Sequence, residues 1–218
     1  MYNPGINRID DPTIVRAFLG SQDSAQLVTV IDGVPTATRL PVLVDVAPTN
    51  GVTVANLPVV IRGHLAAANP QAKSVGDTAA LMIFDGPEGY VSPSNYDEKS
   101  ISGKVVPTWN YAVAHITGLL TLRPEPEWLL SFLHELTNRH EAERETPWGI
   151  EDAPTHYINK MLRGIVGVEL HADLVEVKYK LSQNKSAADQ RRVADECQRA
   201  GNRLGDLMAQ NLSDSAPQ

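Results

Sequence analysis

The stretch Trp109–Leu122, which reads WNYAVAHITGLLTL, decides the fold because its side chains alternate between two characters. One set is small and apolar and consists of Ala112, Ala114, Ile116, Gly118 and Leu120. The other set mixes aromatic, polar and apolar groups: Trp109, Tyr111, Val113, His115, Thr117 and Leu119. A period of two residues is typical of a β-strand. The sequence therefore predicts a long strand with one packed face and one mixed face.

Further strand patterns lie on both sides of this stretch. They cover residues 26–31, 36–45, 59–65, 79–84, 90–92 and 166–180. Asp32-Gly33 joins the first two strands as a hairpin signal, and Asp85-Gly86-Pro87 predicts a turn. Residues 93–107 are rich in Ser, Pro, Lys and Gly, which predicts a loop.

Helical patterns are grouped between the strands and at the end of the chain. Asp11-Pro12 predicts a helix start, and apolar residues recur at helical spacing over residues 129–136, 157–165 and 193–208. The combination predicts an α+β protein built on an antiparallel barrel or curled sheet, with peripheral helices and a C-terminal helix. We expect a barrel domain with inserted helices over residues 1–184, followed by a C-terminal helix and tail over residues 185–218.

Composition limits the possible functions. No apolar run reaches the roughly 18 residues that a membrane span needs, so no membrane association is predicted. The formal net charge of −7, from 19 basic and 26 acidic residues, disfavours broad affinity for nucleic acids. Cys197 is the only cysteine, so an internal disulfide is impossible and a cytoplasmic location is expected.

The common catalytic and metal-binding motifs are absent from the sequence. His134 and His140 are six residues apart, which places them about 240° apart around a helix and predicts no metal site. No glycine-rich phosphate loop occurs, and no serine stands in a glycine-flanked turn, which disfavours hydrolase chemistry.

Polar side chains gather at three places beside the predicted strands. His64 and Asn69-Pro70 either form an anion-binding turn or simply end a strand and close a turn. Trp109 either packs in a core or interface or stacks on a ligand, and the neighbouring amide of Asn110 suits a planar heterocycle. The segment Lys180–Asn184 could reach a phosphate or a carbonyl group, or form a polar turn.

Several segments together resemble a known family. They are Met1-Tyr2 with Pro4, Gly63–Leu65 with Asn69-Pro70, Phe84–Pro87, Tyr90–Pro93, Val106–Tyr111 with His115 and Gly118, Pro147-Trp148, and Lys180–Asn184. Their order and spacing resemble the PaiB family of FMN-binding negative transcriptional regulators. The resemblance runs from the first residue to about Arg192, and its most specific segments are Pro107–Tyr111 and Lys180–Asn184.

The resemblance implies a fold and a site. The fold is a flavin-type split β-barrel, in which two subunits pack barrel to barrel and FMN lies in a groove at their interface. The site residues implied are Thr38, Arg39, Leu40, Pro41, His64, Asn69, Lys73, Trp109, Asn110, Lys180, Ser182 and Gln183. Of these, His64, Asn69 and Lys73 are expected near the phosphate. A regulatory function and DNA as a partner are implied by the resemblance alone.

The resemblance also suggests roles for individual residues. The backbone of residues 38–41 would face the isoalloxazine ring, and Trp109 would pack beside it. Lys180 and His64 would neutralise the phosphate. Asn110 would hydrogen-bond to the ring or to the partner subunit.

Two positions depart from the family pattern. Family members usually carry arginine at the position of Ala67, and many carry tryptophan at that of Asn95. Losing one guanidinium from a phosphate site costs about 1.5–3 kcal/mol, or roughly 10- to 100-fold in affinity. Arg39 and Arg62 are candidate replacements.

Two other functions are open on the sequence alone. A flavin-dependent oxidoreductase would use FMN for redox chemistry, with His115 as a proton donor. A barrel of this kind could instead hold another planar ligand, such as haem.

Overall fold

The computed structural model describes residues 1–73 and 78–214. The chain forms two compact units, each assembled from separated segments. Unit 1 contains residues 1–10, 85–114 and 176–218, and unit 2 contains residues 11–84 and 115–175. The domain boundary expected at residue 184 stays a prediction.

Six strands and six α-helices make up the secondary structure of the described residues. The strands are β1 (Ser24–Ile31), β2 (Val34–Val46), β3 (Val59–Ala66), β4 (Thr78–Val91), β5 (Thr108–Arg123) and β6 (Ile165–Lys180). The helices are α1 (Pro12–Gly20), α2 (Glu98–Ile101), α3 (Pro126–Glu141), α4 (Thr155–Leu162), α5 (Ala187–Arg199) and α6 (Leu204–Asp214). Short 3₁₀ turns lie at Gly5–Asn7, Val54–Asn56, Pro70–Ala72, Pro93–Asn95 and Ile150–Asp152.

The strands close into a barrel in the order β1-β2-β3-β6-β5-β4, and the pairs β1–β2, β1–β4, β2–β3 and β3–β6 are antiparallel. The predicted hairpin is confirmed, since Ile31 pairs with Val34 around Asp32 and Gly33, whose φ angles are 50° and 80°. Two consecutive positive φ angles are characteristic of the tight hairpin turn that Asp-Gly favours. The alternation predicted for β5 is also confirmed, because Ala112, Ala114, Ile116, Gly118 and Leu120 are all buried.

Three details of the prediction were wrong. Asp85-Gly86-Pro87 is not a turn, because β4 runs through it; a strand tolerates proline wherever the missing N–H is not needed for pairing. The loop at residues 93–107 contains a 3₁₀ turn and the short α2. The single C-terminal helix is two helices, α5 and α6, because Gly201 adopts a φ of 68°, the left-handed conformation that ends a helix.

Helix α3 packs on β2 and β3 within unit 2. The Arg62 guanidinium on β3 donates to both carboxylate oxygens of Glu135 on α3, at 2.7 and 2.9 Å, and its Nε donates to Asp45 at 2.8 Å. Trp128 and Phe132 of α3 stack with ring centroids 5.5 Å apart. Gly167 makes room for Trp128, because a Cβ there would lie 2.3 Å from its Cζ3. A bidentate ion pair and an aromatic stack therefore fix α3 against the barrel.

Among residues 1–73 and 78–214, no helix combines the length and the apolar character needed to cross a bilayer.

Candidate functional site

The residues predicted from the sequence fall into two groups, one in each unit. Unit 2 contains the backbone segment Thr38–Pro41 together with His64, Asn69 and Lys73, and unit 1 contains Trp109, Asn110, Lys180, Ser182 and Gln183.

The segment Thr38–Pro41 lies where β2 exchanges one partner strand for another. Residues Val34–Pro41 pair with β1, and Val42–Val46 pair with β3. In an antiparallel ladder, successive residues direct their backbone groups to opposite sides. Every second residue of this segment therefore directs its backbone groups away from β1. This part of β2 therefore presents a strand edge that lies outside its ladder with β3.

A buried side chain that the sequence analysis missed, Gln71, anchors the turn at Asn69-Pro70 to this edge. Gln71 is 1% exposed, and its Nε2 donates to Leu27 O at 3.3 Å, Thr29 Oγ1 at 3.0 Å and Thr36 O at 3.2 Å. Its Oε1 accepts a hydrogen bond from Thr38 Oγ1. The carbonyl oxygens and hydroxyl groups of β1 and β2 thus position the turn through one amide.

Asn69 completes this arrangement, which we name the β2 cluster (Thr38, Asn69 and Gln71). Asn69 Oδ1 accepts from Gln71 N at 2.9 Å and caps the 3₁₀ turn, while Asn69 Nδ2 donates to Thr38 Oγ1 at 3.0 Å. The structure therefore brings two of the predicted residues, Thr38 and Asn69, into direct contact.

The other predicted residues of unit 2 differ in exposure. Arg39 and Pro41 are exposed, and Arg39 donates to Ser24 Oγ at 3.1 Å. Leu40 is buried, and its Cδ1 would lie 2.4 Å from a Cβ at Gly63, so its side chain belongs to the core. Lys73 is exposed at the end of the turn. Arg39 and Lys73 therefore supply solvent-accessible positive charge on the segments that flank the β2 cluster.

His64 lies in a drier environment than the sequence suggested. Its ring packs edge-on against Phe132 of α3, with centroids 5.9 Å apart, and its buried Nδ1 makes no hydrogen bond within the described residues. Burial lowers the pKa of His64 below the usual value of 6.5. Burial therefore favours the neutral imidazole, which can exchange hydrogen bonds but supplies no charge to a phosphate.

Arg62, a candidate replacement for the missing family arginine, is held by Asp45 and Glu135, and these two carboxylates raise its pKa further. Its guanidinium therefore fastens α3. Asn95, at the family's tryptophan position, donates to Ser92 O at 3.4 Å and to Glu196 in unit 1.

In unit 1, the start of β5 and the segment after β6 lie side by side. Lys180 Nζ donates to Thr108 Oγ1 and to Trp109 O, both at 2.5 Å. Asn110 is fully buried, and its Nδ2 donates to Ser182 Oγ at 2.9 Å. The two segments that carry the resemblance are therefore joined through a lysine and an amide.

Ser182 adopts a φ of 65°, the left-handed region that non-glycine residues rarely enter. Its hydroxyl lies between Asn110 and the phenol oxygen of Tyr96, which is 3.5 Å away. Gln183 closes the same turn, because its Oε1 accepts from Leu181 N at 2.7 Å and its Nε2 donates to Tyr179 O. Buried partners hold this strained turn in one conformation.

These segments line a cavity of about 340 Å³, which we name the unit 1 cavity. Its lining consists of Ile6, Asn7, Tyr96, Val106, Pro107, Thr108, Asn110, Lys180, Ser182, Gln183, Asn184 and Lys185. The volume falls within the range of about 300–1,000 Å³ that is usual for small-molecule sites.

Trp109 is 47% exposed, and its indole N–H donates to Glu88 Oε2 at 3.0 Å. It is therefore not a core residue of its own unit, and about half of its surface is open to solvent. A half-exposed indole of this kind is typical of ligand and protein interfaces.

Residues 1–173 match the family model described as Putative FMN-binding domain. The chain belongs to that family. The chain is also similar to Protease synthase and sporulation protein PAI 2 of Bacillus subtilis, to which it is 28% identical over 98% of its own length and 97% of that protein. An uncharacterized protein of Aspergillus fumigatus is 30% identical over 82% of each chain.

The fold is shared with a solved structure, the FAD and heme binding protein from Mycobacterium smegmatis. That structure matches with a TM-score of 0.57 at 15% identity, over 84% of this chain and 78% of that chain. The predicted membership of the PaiB family and the predicted flavin-type split barrel are both confirmed. The predicted cofactor class, FMN or a related flavin, is confirmed at the level of the family.

The side chains of unit 2 fit such a cofactor chemically. A flavin mononucleotide has a phosphate, which calls for cationic donors, and a flat ring whose edge exchanges hydrogen bonds with backbone groups. Arg39 and Lys73 are exposed cations, and the segment Thr38–Pro41 is a strand edge. The donor set of unit 2 therefore matches both ends of FMN.

Proposed function

We propose that the protein is a cytoplasmic homodimer that binds FMN and acts as a regulator of transcription. The observation that carries the proposal is the β2 cluster, in which Gln71 fixes a turn against a part of β2 that lies outside its ladder with β3. A preformed edge lowers the entropy that binding must overcome, because the backbone is already ordered. The single cysteine, Cys197, which is buried and free, suits a reducing compartment.

In this proposal the flavin ring lies along Thr38–Pro41, and Arg39 and Lys73 neutralise the phosphate. His64 contributes a neutral ring, since its buried position disfavours the charged form. FMN would supply redox chemistry when bound, whereas these residues bind and orient it.

A titration of the purified protein with FMN, followed by quenching of flavin fluorescence, tests cofactor binding. We expect saturable uptake, and we expect Arg39→Gln to weaken it roughly 10- to 100-fold through loss of a charge-assisted hydrogen bond. Arg16→Gln is the matched control, because Arg16 is an exposed arginine on α1. A protein that takes up no FMN, or an Arg39→Gln variant that behaves like Arg16→Gln, would contradict the proposal.

The homodimer is supported by apolar side chains exposed on neighbouring strands of the barrel. Leu119 on β5 and Leu174 on β6 are both exposed in unit 2. Apolar groups on adjacent strands suit a protein partner, and a second copy of the chain fits the barrel-to-barrel packing that the family resemblance implies.

Light scattering after size-exclusion chromatography tests the dimer. Leu174→Glu should give a monomer, while Val30→Glu, at an exposed valine near the β1–β2 hairpin, should remain dimeric. A monomeric unsubstituted protein, or equal effects of the two changes, would exclude this face as the interface.

The regulatory role is supported by the family and by the name of the Bacillus relative, which refers to protease synthesis and sporulation. The net charge of −7 requires any DNA contact to be local. Binding of a promoter fragment should weaken with salt, with a slope that reports several phosphate contacts. Rapid reduction of bound flavin by a nicotinamide cofactor, without DNA binding, would instead indicate a flavin-dependent oxidoreductase.

A further inference from the structure

We propose that the unit 1 cavity is a binding site for a second ligand, a small organic anion that carries an apolar body. The site uses its own charged groups, all of them in unit 1, so the inference does not depend on flavin binding.

The charge of the cavity lining supports an anion. Lys180 and Lys185 both line it, and the twelve lining residues, all within the described part of the chain, include no Asp or Glu. The whole protein carries seven more acidic than basic residues, so a lining with two cations and no carboxylate differs in sign from the rest of the molecule. Concentrated charge of one sign in a concave site attracts a ligand of the opposite sign.

Lys180 is held in place before any ligand arrives. Its ammonium group has three donors, and two of them bond to Thr108 Oγ1 and Trp109 O. A bound anion would accept a hydrogen bond from the third N–H of this positioned ammonium group. Burial lowers the pKa of Lys180 below the usual value of 10.5, and an anion in the cavity would offset that loss of hydration.

Lys185 approaches the cavity from the turn after β6. Its Nζ lies 4.5 Å from the centroid of the Tyr96 ring, in a cation–π contact. Tyr96 is itself buried, so the aromatic ring is a fixed platform under the ammonium. The two lysines therefore have different supports, one polar and one aromatic, and both contribute to one lining.

Buried polar side chains also contribute to the cavity lining. Asn110 is fully buried and holds Ser182, whose left-handed backbone conformation turns the chain at the cavity. This arrangement combines a buried amide, a strained turn and a buried phenol, and each of them costs folding free energy unless its surroundings compensate. Pre-organisation of this kind is typical of a ligand site.

The size and the rim of the cavity define the rest of the ligand. About 340 Å³ lies near the lower end of the range for small-molecule sites, so the cavity suits a ligand smaller than an entire FMN. Ile6, Val106 and Pro107 contribute apolar surface to the lining, and Val106 is 75% exposed. An apolar body on the anion would cover this surface and gain from its burial.

Calorimetric titration of the full-length protein with phenyl phosphate, benzoate, inorganic phosphate and the neutral benzamide tests the proposal. We expect at least one organic anion to bind more tightly than inorganic phosphate, and benzamide not to bind. The comparison of phenyl phosphate with benzoate then identifies the headgroup as phosphate or carboxylate. Lack of binding by both organic anions would overturn the proposal.

Three variants locate the binding in the cavity. Lys185→Gln should weaken the anion by about tenfold or more, as expected for one charged hydrogen-bonding partner. Lys180→Gln should weaken it at least as much, and if that variant does not fold, Lys185→Gln decides. Lys160→Gln, which removes an exposed lysine from α4, should change nothing. Equal affinities of Lys185→Gln and Lys160→Gln would overturn the proposal.

Competition with flavins separates this inference from the proposed function. Neither FMN nor riboflavin should displace the organic anion from a second site. Displacement by FMN but not by riboflavin would assign the cavity to the FMN phosphate, which would overturn the second-ligand site while supporting flavin binding. Anion binding by a protein that takes up no FMN would leave this inference standing and remove the proposed cofactor.

Discussion

Replacing Gln71 with alanine removes the amide that joins β1, β2 and the turn at Asn69-Pro70. The backbone N–H of residue 71 still donates to Asn69 Oδ1 in the variant, so the turn keeps its cap. What disappears is the set of side-chain hydrogen bonds to Leu27 O, Thr29 Oγ1 and Thr36 O, together with the bond that Thr38 donates. The substitution therefore isolates the contribution of one buried amide.

The size of the effect follows from the groups that lose their partner. Thr29 is 4% exposed, so water cannot easily replace the amide at its hydroxyl, whereas Thr38 is only partly buried. An unsatisfied buried polar group costs about 1–3 kcal/mol, and a partly hydrated one costs less. We therefore expect Gln71→Ala to lower the free energy of unfolding by about 2–4 kcal/mol.

Urea unfolding followed by far-UV circular dichroism measures this change, with the m-value compared between proteins to confirm the same transition. Gln22→Ala is the matched control, because Gln22 is a partly exposed glutamine of unit 2 that bonds to Phe18 O and Ser21 Oγ. We expect the control to lose less than about 0.5 kcal/mol. The reasoning is refuted if the two variants lose the same amount. It is also refuted if Gln71→Ala, kept folded at low temperature, binds FMN as tightly as the unsubstituted protein.

Three further predictions concern other parts of the molecule. Burial lowers the pKa of His64, so the unfolded chain takes up a proton at this residue before the folded protein does as the pH falls below 6.5. The free energy of unfolding should therefore decrease with falling pH, by at most about 1.4 kcal/mol per pH unit from this residue. His64→Phe should remove this component from unfolding curves measured between pH 7.5 and 5. Trp109→Ala should weaken FMN uptake far more than it changes the unfolding free energy, and equal loss of both would show that the indole is core. Gly167→Ala should lower the free energy of unfolding by about 1–3 kcal/mol, because the new methyl group would overlap the Trp128 ring. Gly20→Ala is the control and should leave thermal denaturation almost unchanged, because a methyl group there would meet no packed neighbour within 4 Å.

The strand framework was predictable because its signals are local. The alternation in β5 and the Asp-Gly hairpin each depend on a few consecutive residues, and the structure confirms both. Asp85-Gly86-Pro87 misled for the same reason: its composition is typical of a turn, but pairing along β4 determines the conformation. Local signals identify elements, and they fail where tertiary pairing overrides them.

The candidate sites were predictable only in part. The proximity of the β5 start to the Lys180–Asn184 segment was expected from the family resemblance, and the structure shows the contacts. The role of Gln71 could not be predicted from the sequence, because its partners Leu27 and Thr29 lie 44 and 42 residues earlier in the chain. The left-handed conformation of Ser182 was equally hidden, since serine has no special preference for it.

The path of the chain has a practical consequence for genetic dissection. The polypeptide passes between the two units four times, after residues 10, 84, 114 and 175. A truncation near either terminus therefore removes only one segment of unit 1, and the other segments of that unit lose the residues they pack against. Deletion series would report misfolding instead of separable activities. Point substitutions within each unit, read against their paired controls, are the way to assign roles to the parts of this molecule.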